Sequence, residues 1–329
     1  MRVKFWGATG SIPSRFKNQE LREILFESIK LGSELRPKDN KEIEKIYDSL
    51  PIHKKTQFLG NTSCVEIQGF DEVFVFDTGS GIRNLGLSLL SNPPKDKIIN
   101  IFISHFHWDH IIVLPFLPQL YMKDYKVIFY SSHPNIEEKL KDQQVYHHFP
   151  VSFEETASEK DFVYIEPGKE LSLKYFNITS KALRHPGGSY TYRLNFPNGK
   201  SIVYATDGEY PTKELSKDKF EEYAMFYKNA DLLIFDAQYS FKEAEISKAD
   251  WGHSSPNIGV ELAIEADIKN LVLFHHEPSS SNKELEKKLI EARRYRKIYN
   301  NNFKKKKYSS IYNPCNRRRS DYNIVNNFI

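Results

Sequence analysis

Cysteine is nearly absent from this chain: Cys64 and Cys315 are the only two among 329 residues, far apart and without CxxC spacing. No disulfide framework is indicated, and a reducing cytoplasm is the expected home. Also missing is any apolar run near the roughly 18 residues needed to cross a bilayer, so no membrane span is expected. The opening Met1-Arg-Val-Lys-Phe-Trp-Gly has no hydrophobic leader core and reads directly as a first strand, so a secretory signal is not expected. The loop that follows, Gly7-Ala-Thr-Gly-Ser-Ile-Pro13, is turn-rich but lacks the spacing and the immediate helix of a dinucleotide fingerprint.

What is present is ample for a core: 40% of residues are hydrophobic and 14% aromatic. The length allows one large domain with insertions or two small ones. Charge is unevenly spread. From Arg293 onward eleven basic residues face one acid, Asp321, so a whole-chain charge of +4 divides into a tail of +10 and a body of −6. The expected division is therefore a body over 1–292 and a basic extension over 293–329. That extension is rich in Asn, Lys, Arg and Tyr and shows no sustained period, which reads as a loosely packed tail able to contact phosphate.

Early in the chain, Leu21, Ile24, Leu25 and Ile29 form one helical stripe behind Asn18, and Ile43, Ile46, Tyr47 and Leu50 form another behind Asp39. This helical insertion over about 18–51 reads equally as a lid on a cleft or as structural decoration.

Chemistry is concentrated in Ser104-His105-Phe106-His107-Trp108-Asp109-His110, directly after the apolar run Ile98 to Ile103. On an extended strand end, His105 and His107 point the same way because side chains alternate. A tight turn then swings Asp109 and His110 to the other side of the same cavity. Nitrogen and oxygen donors from two directions suit two adjacent divalent ions, with zinc first and Mn2+ or Fe2+ as alternatives. Further apolar runs end in a donor: Leu183-Arg-His185, Ser201 to Asp207, Leu232 to Asp236, and Asn270 to His275-His276. His133, His147 and His148 have no partner spacing and read as packing or surface residues.

Taken in order, these motifs resemble the metallo-β-lactamase superfamily with its His-x-His-x-Asp-His signature, over roughly Met1 to Pro278. The resemblance implies an α/β fold of αββα layers, with two mixed sheets face to face, helices outside and metals at one edge. It also implies a ligand set. His105, His107 and His185 would hold one ion; Asp109, His110 and His275 would hold the other; Asp207 would bridge. Asp77, in Asp77-Thr-Gly-Ser-Gly81, matches a position that is structural and touches no metal.

Fold alone does not select the reaction. Trp251-Gly-His253-Ser-Ser-Pro256 precedes a helix with Ser255 as cap and Pro256 at its first position, which sets His253 near exposed N–H groups suited to a phosphate. Together with Asp236, this segment resembles ribonuclease Z and related phosphodiesterases, with Asp236 standing where that family has a Glu. The implied chemistry is attack by metal-activated water, with Asp109 and Asp207 orienting it and taking its proton, His253 stabilising the phosphoryl oxygens, and His253 or a second water protonating the leaving oxygen. Only 21 residues run from His185 to Asp207, where ribonuclease Z inserts a long RNA-binding arm. A small cyclic nucleotide-like diester is therefore the first expectation. The alternatives are a ribonuclease Z-like RNA nuclease and a thioester or lactone hydrolase. RNA contact through the tail and a homodimer stay open.

Overall fold

The computed structural model describes residues 1–15, 17–55, 57–212, 216–303 and 310–312. Two mixed sheets face each other. The first has the order β1 (Arg2–Gly7), β2 (Cys64–Gln68), β3 (Val73–Phe76), β4 (Ile98–Ile103), β5 (Lys126–Ser131) and β6 (Glu159–Tyr164). The second is built from β7 (Leu171–Ser172), β8 (Asn177–Leu183), β9 (Ser189–Asn195), β10 (Ser201–Ala205), β11 (Leu232–Asp236), β12 (Asn270–Phe274) and β13 (Ser310–Tyr312), with spatial order β13-β12-β11-β10-β9-β8-β7. Each sheet is antiparallel toward β1 or β7 and parallel toward β6 or β13.

The helices are α1 (Asn18–Leu35), α2 (Asn40–Ser49), α3 (Ile52–Lys55), α4 (Ile82–Ser91), α5 (Trp108–Ile111), α6 (Ile136–Gln143), α7 (Lys217–Tyr227), α8 (Pro256–Glu265) and α9 (Asn282–Phe303). Among the described residues, no helix is long and apolar enough to cross a membrane.

Three apolar layers hold these elements together. Between the sheets, Phe74, Phe76, Phe102, Phe176, Tyr192 and Tyr204 are fully buried, with Phe76 stacked on Phe102 at 4.9 Å and Phe102 on Tyr130 at 4.6 Å. Burial of each such ring contributes on the order of 2–3 kcal/mol. Ile99, Ile101 and Ile103 face outward from β4 onto Leu85 and Leu89 of α4 and Leu140 of α6. On the opposite side, Val203, Leu233, Phe235 and Leu273 pack under Phe220 of α7, Ile258 and Leu262 of α8, and Leu289 of α9. The layers are αββα, as the resemblance implies.

Register decides where the chemistry can sit. In the parallel region Phe76 pairs with Phe102, Ala205 with Phe235, and Phe235 with Leu273, so neighbouring strands end level. Residues just past those ends form a row along one edge, the usual location of sites on parallel strands.

Two expectations need correction. In sequence, the apolar stretch from Ile111 to Tyr121 reads as one helix packed on the sheet; it is instead the short α5 followed by 3-10 turns at Leu114–Phe116 and Pro118–Tyr121. Pro115 and Pro118 lack the N–H that a continued helix requires. The basic tail does not begin at Arg293, because α9 runs through that point to Phe303. Leu285, Leu289, Ala292 and Tyr299 are buried on one face of α9, and Tyr295 Oη donates to Glu261 Oε1 at 2.5 Å. The apolar spacing straddles the compositional boundary, and the charge masks it. Residues 304–309 and 313–329 of the expected tail, Cys315 included, lie outside the described residues.

The expected helical insertion over about 18–51 corresponds to α1 and α2. Neither α1 nor α2 contains a buried residue, and Leu25, Phe26 and Ile29 are at least half exposed. The apolar stripe of the hairpin is thus uncovered in this structure. Its ties run to the far end of the chain: Lys17 Nζ donates to the Ser279 carbonyl at 2.8 Å, and the Ile52 N–H and His53 Nδ1 reach Glu286.

Candidate metal centre

Three strand ends place their donors by leaving the β region abruptly. Asp77 after β3, Asp207 after β10 and His275 after β12 have φ of 57°, 49° and 54°. This left-handed region is tolerated best by Asp, Asn and His among residues with a side chain, and it turns each side chain into the same cavity.

Asp77 is fully buried and anchors the floor. Its Oδ1 accepts from the Ser104 N–H at 2.8 Å, and its Oδ2 accepts from Ser104 Oγ, Tyr204 Oη and His110 Nδ1, each at 2.7 Å. Asp77→Ala would strand all of these donors in the core. It is expected to cost about 3–5 kcal/mol of stability in urea unfolding, with or without metal present.

The imidazoles follow one rule. His110 Nδ1 is bound by Asp77, His185 Nδ1 donates to the Gly252 carbonyl at 2.8 Å, His275 Nδ1 lies 3.0 Å from Gln238 Oε1, and His105 Nδ1 lies 3.1 Å from Ser104 Oγ. With the outer nitrogen held, each Nε2 is turned inward, the arrangement that orients metal-binding histidines. His107 reverses this, with its Nδ1 inward at 3.0 Å from His185 Nε2.

Four overlapping donor groups result: His105, His107 and His185; Asp109, His110, Asp207 and His275; and two smaller ones that share His253, with His185 and Asp207 or with Asp236 and His275. The first two have no residue in common and together take in every donor of the implied ligand set. In the second, His110 Nε2 lies 3.3 Å from His275 Nε2 and 3.1 Å from Asp207 Oδ1, while His275 Nε2 lies 2.9 Å from Asp109 Oδ2. Asp207 also reaches the first group, at 3.6 Å from His105 Nε2 and 3.9 Å from His185 Nε2. Ligand atoms on a tetrahedral zinc with bonds of 2.0–2.1 Å are about 3.3 Å apart, so the spacing fits such an ion. A buried atom makes the same point: among the described residues His105 Nε2 has no hydrogen-bond partner.

Charge is matched to this use. Burial, reinforced by neighbouring imidazoles, holds His105 well below its ordinary pKa and lowers His185 to about 4, leaving neutral nitrogen donors. Burial would likewise lower His275, but Asp207 and Asp109 outweigh it and push it up to about 9. Burial opposes ionisation of Asp207, yet His110 and His275 hold it well below the usual carboxylate range. Protons on the histidines between these carboxylates occupy the electrostatic place of a cation.

At the rim, His253 Nδ1 lies 2.8 Å from Asp236 Oδ2, so the shorter acid still reaches it. The His253 ring is stacked on His275 at 5.0 Å and sits 5.2 Å from His185. His276, beside the predicted ligand, instead pairs with the end of β1: its N–H donates to the Ala8 carbonyl and its carbonyl accepts from Gly10. His133 packs between Phe106 and Tyr190, and His147 and His148 are exposed.

Sequence reasoning overlooked the loop after β1. The Ser11 N–H donates to Asp109 Oδ2 at 2.7 Å, and a Cβ on Gly10 would lie 2.5 Å from His275 Cε1. Gly252 is needed similarly: it has φ of 83°, and a Cβ there would meet His185 Nδ1 at 2.2 Å. The available signal was positional, a glycine-bearing loop at a strand end level with the donor-bearing ends. Gln238 was overlooked too.

A family model described as a beta-lactamase superfamily domain matches residues 73–276, more than half of the chain. Ribonuclease Z of Picrophilus torridus is 24% identical over 283 residues, which cover 73% of this chain and 86% of that protein. Ribonuclease Z of Thermoplasma volcanium is 26% identical over 255 residues, 63% of this chain and 79% of that protein. Among solved structures, the metallo-beta-lactamase fold protein YhfI from Bacillus subtilis has a TM-score of 0.57 at 19% identity, covering 95% of this chain and 94% of that one. Human tRNase Z, short form, has a TM-score of 0.54 at 19% identity, covering 84% and 93%. The chain belongs to the beta-lactamase superfamily; it is a metallo-β-lactamase-fold hydrolase whose fold and clustered donors imply divalent metal ions.

Proposed function

We propose that this chain hydrolyses phosphodiester bonds in RNA, as a ribonuclease Z-type nuclease, at a centre of two divalent ions. The observation that carries this reading is the Asp236–His253 pair at 2.8 Å, set directly against the donor cluster. Hydrolysis of a thioester or lactone has no need of a second imidazole poised beside the metals. The similarity to proteins named ribonuclease Z supports RNA ahead of the small cyclic diester favoured by sequence alone.

His105, His107 and His185 are assigned to one ion and Asp109, His110 and His275 to the other, with Asp207 between them. The nitrogen and oxygen donors make zinc the first assignment. Such ions lower the pKa of water toward neutrality and polarise phosphoryl oxygens. Asp109 and Asp207, kept ionised, orient the attacking water and accept its proton. His253, whose Nδ1 is held by Asp236, directs its other nitrogen at the substrate, stabilises a phosphoryl oxygen and gives a proton to the leaving oxygen.

One observation favours the small diester as a second reading. β9 and β10 pair from Asn195 and Ser201 upward and are joined by a tight turn in which the Phe196 N–H meets the Lys200 carbonyl at 2.9 Å. No RNA-binding arm leaves the fold at that point, and phosphate contacts would have to come from the basic residues of α9 and beyond.

Assay of the zinc-loaded protein against short RNA, cyclic nucleotides, a thioester and a lactone separates the readings; cleavage of cyclic nucleotides with RNA untouched would reject the RNA assignment. In the RNA reading, replacing Lys304, Lys305, Lys306 and Lys307 together by Gln is expected to weaken RNA binding. The slope of log K against log salt should fall by about 2 to 3, near 0.7 per lost phosphate contact on a single strand.

A further inference from the structure

Gln238 has no role in the chemistry above, although it lies two residues beyond Asp236 and is buried. Its Oε1 is 3.0 Å from His275 Nδ1, and its Nε2 is 3.0 Å from Glu277 Oε2 and 3.2 Å from Ser11 Oγ. A carboxylate only accepts, so Glu277 requires the amide N–H2 on its own side. The carbonyl end must then face His275. In the neutral ring that a metal would require, this places the single proton on Nδ1 and leaves Nε2, which faces Asp109, Asp207 and His110, as the donor atom. The backbone of Gln238 is fixed as well: its N–H donates to Asp236 Oδ1 at 3.0 Å, and its carbonyl accepts from the half-buried Lys288 Nζ at 2.6 Å.

One turn therefore serves both imidazoles at this side of the centre, His253 through the Asp236 carboxylate and His275 through the Gln238 amide. The two histidines assigned to the second ion are held differently: His110 by a carboxylate, His275 by a neutral amide whose direction a second residue sets.

We infer that Gln238, locked in orientation by Glu277, is a positioning residue that fixes the tautomer of His275 and so sets the zinc affinity of the Asp109–His110–His275 site. This rests on the reading of His275 as a ligand given above. An outer partner of a metal-binding histidine is worth roughly 10- to 100-fold in metal affinity.

The test is zinc binding by chelator competition on the whole protein, with long-range 1H–15N correlation of the His275 ring. Gln238→Leu is expected to weaken one zinc by roughly 10- to 100-fold, leave the other at its wild-type affinity, and lose the Nδ1–H signature of His275. Gln238→Glu, which keeps an acceptor at Nδ1, should retain that signature and bind zinc within a few-fold of wild type. Should the leucine variant fold poorly, Glu277→Gln leaves Gln238 in place but frees its amide to reverse, and a several-fold loss at the same zinc is expected. Two wild-type-affinity zincs in Gln238→Leu, or in a folded Glu277→Gln with an unchanged tautomer, would overturn the inference. A wild-type protein binding fewer than two zincs would instead overturn the ligand assignment on which it rests.

Discussion

His105→Ala is expected to remove one of two zinc equivalents and to lower hydrolysis on the order of a thousandfold. The size follows from the several kcal/mol of transition-state stabilisation that a metal ion supplies, at 1.36 kcal/mol per factor of ten. The same change should barely affect the metal-free protein. Among the described residues His105 Nε2 makes no hydrogen bond to lose, Asp207 stands off at 3.6 Å, and the Ser104 hydroxyl lies beside its other nitrogen. A cost of about 1 kcal/mol without metal, against a larger loss of melting temperature with zinc present, is therefore the expected pattern. Asp77→Ala should behave in the opposite way, destabilising both forms. Elemental analysis with thermal unfolding in zinc and in chelator distinguishes the two, and undiminished turnover in His105→Ala would remove the dinuclear reading.

His253→Ala should keep both metals and the fold, yet lower phosphodiester turnover on the order of a hundredfold or more. The ring is at the rim, its Nδ1 is held by Asp236, and it is assigned to neither ion. Its loss should matter less for a diester with a nitrophenolate leaving group, which departs without a proton. Asp236→Asn should reproduce part of the defect by leaving the imidazole poorly oriented, and the double variant should be little worse than His253→Ala alone, as residues acting as one unit behave. Hydrolysis of a thioester or lactone should be far less sensitive. A His253→Ala enzyme cleaving natural diesters at near wild-type rate would overturn the proposed role.

The layers of the fold and the cluster of donors were legible because they rest on local pattern. Apolar runs ending in His or Asp announce buried parallel strands, and level strand ends bring their termini together whatever the separation in sequence. Other features depend on neighbours that no local pattern encodes. Gln238 and Ser11 contribute through one side-chain amide and one backbone N–H, which many sequences could supply. The reach of Asp236 to His253 depends on the packing of β11 against α8. After His110, local chemistry prevails over an apolar run, because Pro115 and Pro118 interrupt the helix that the run suggests. In α9 the reverse held: the packing of Leu285, Leu289, Ala292 and Tyr299 overrides a composition that suggests solvation. The apolar stripes of α1 and α2 do mark amphipathic helices, but periodicity alone carries no information on what covers them.

The pairing of strand ends across the molecule also governs the order of assembly. His110 and His275 lie 165 residues apart in sequence, and His107 and His185 are separated by 78. Closing such long loops is entropically slow, and folding rate falls as contacts become less local. During synthesis the His105–His110 turn emerges with β4 long before its partners on the second sheet exist. A ribosome adding about 5–20 residues per second leaves that half-site waiting on the order of 10–30 s for His275. The first sheet must meanwhile hold three imidazoles and a carboxylate without the carboxylate and imidazoles that complete them. The centre is thus finished only when the two sheets dock, and full metal occupancy would report a completed fold as much as a charged active site.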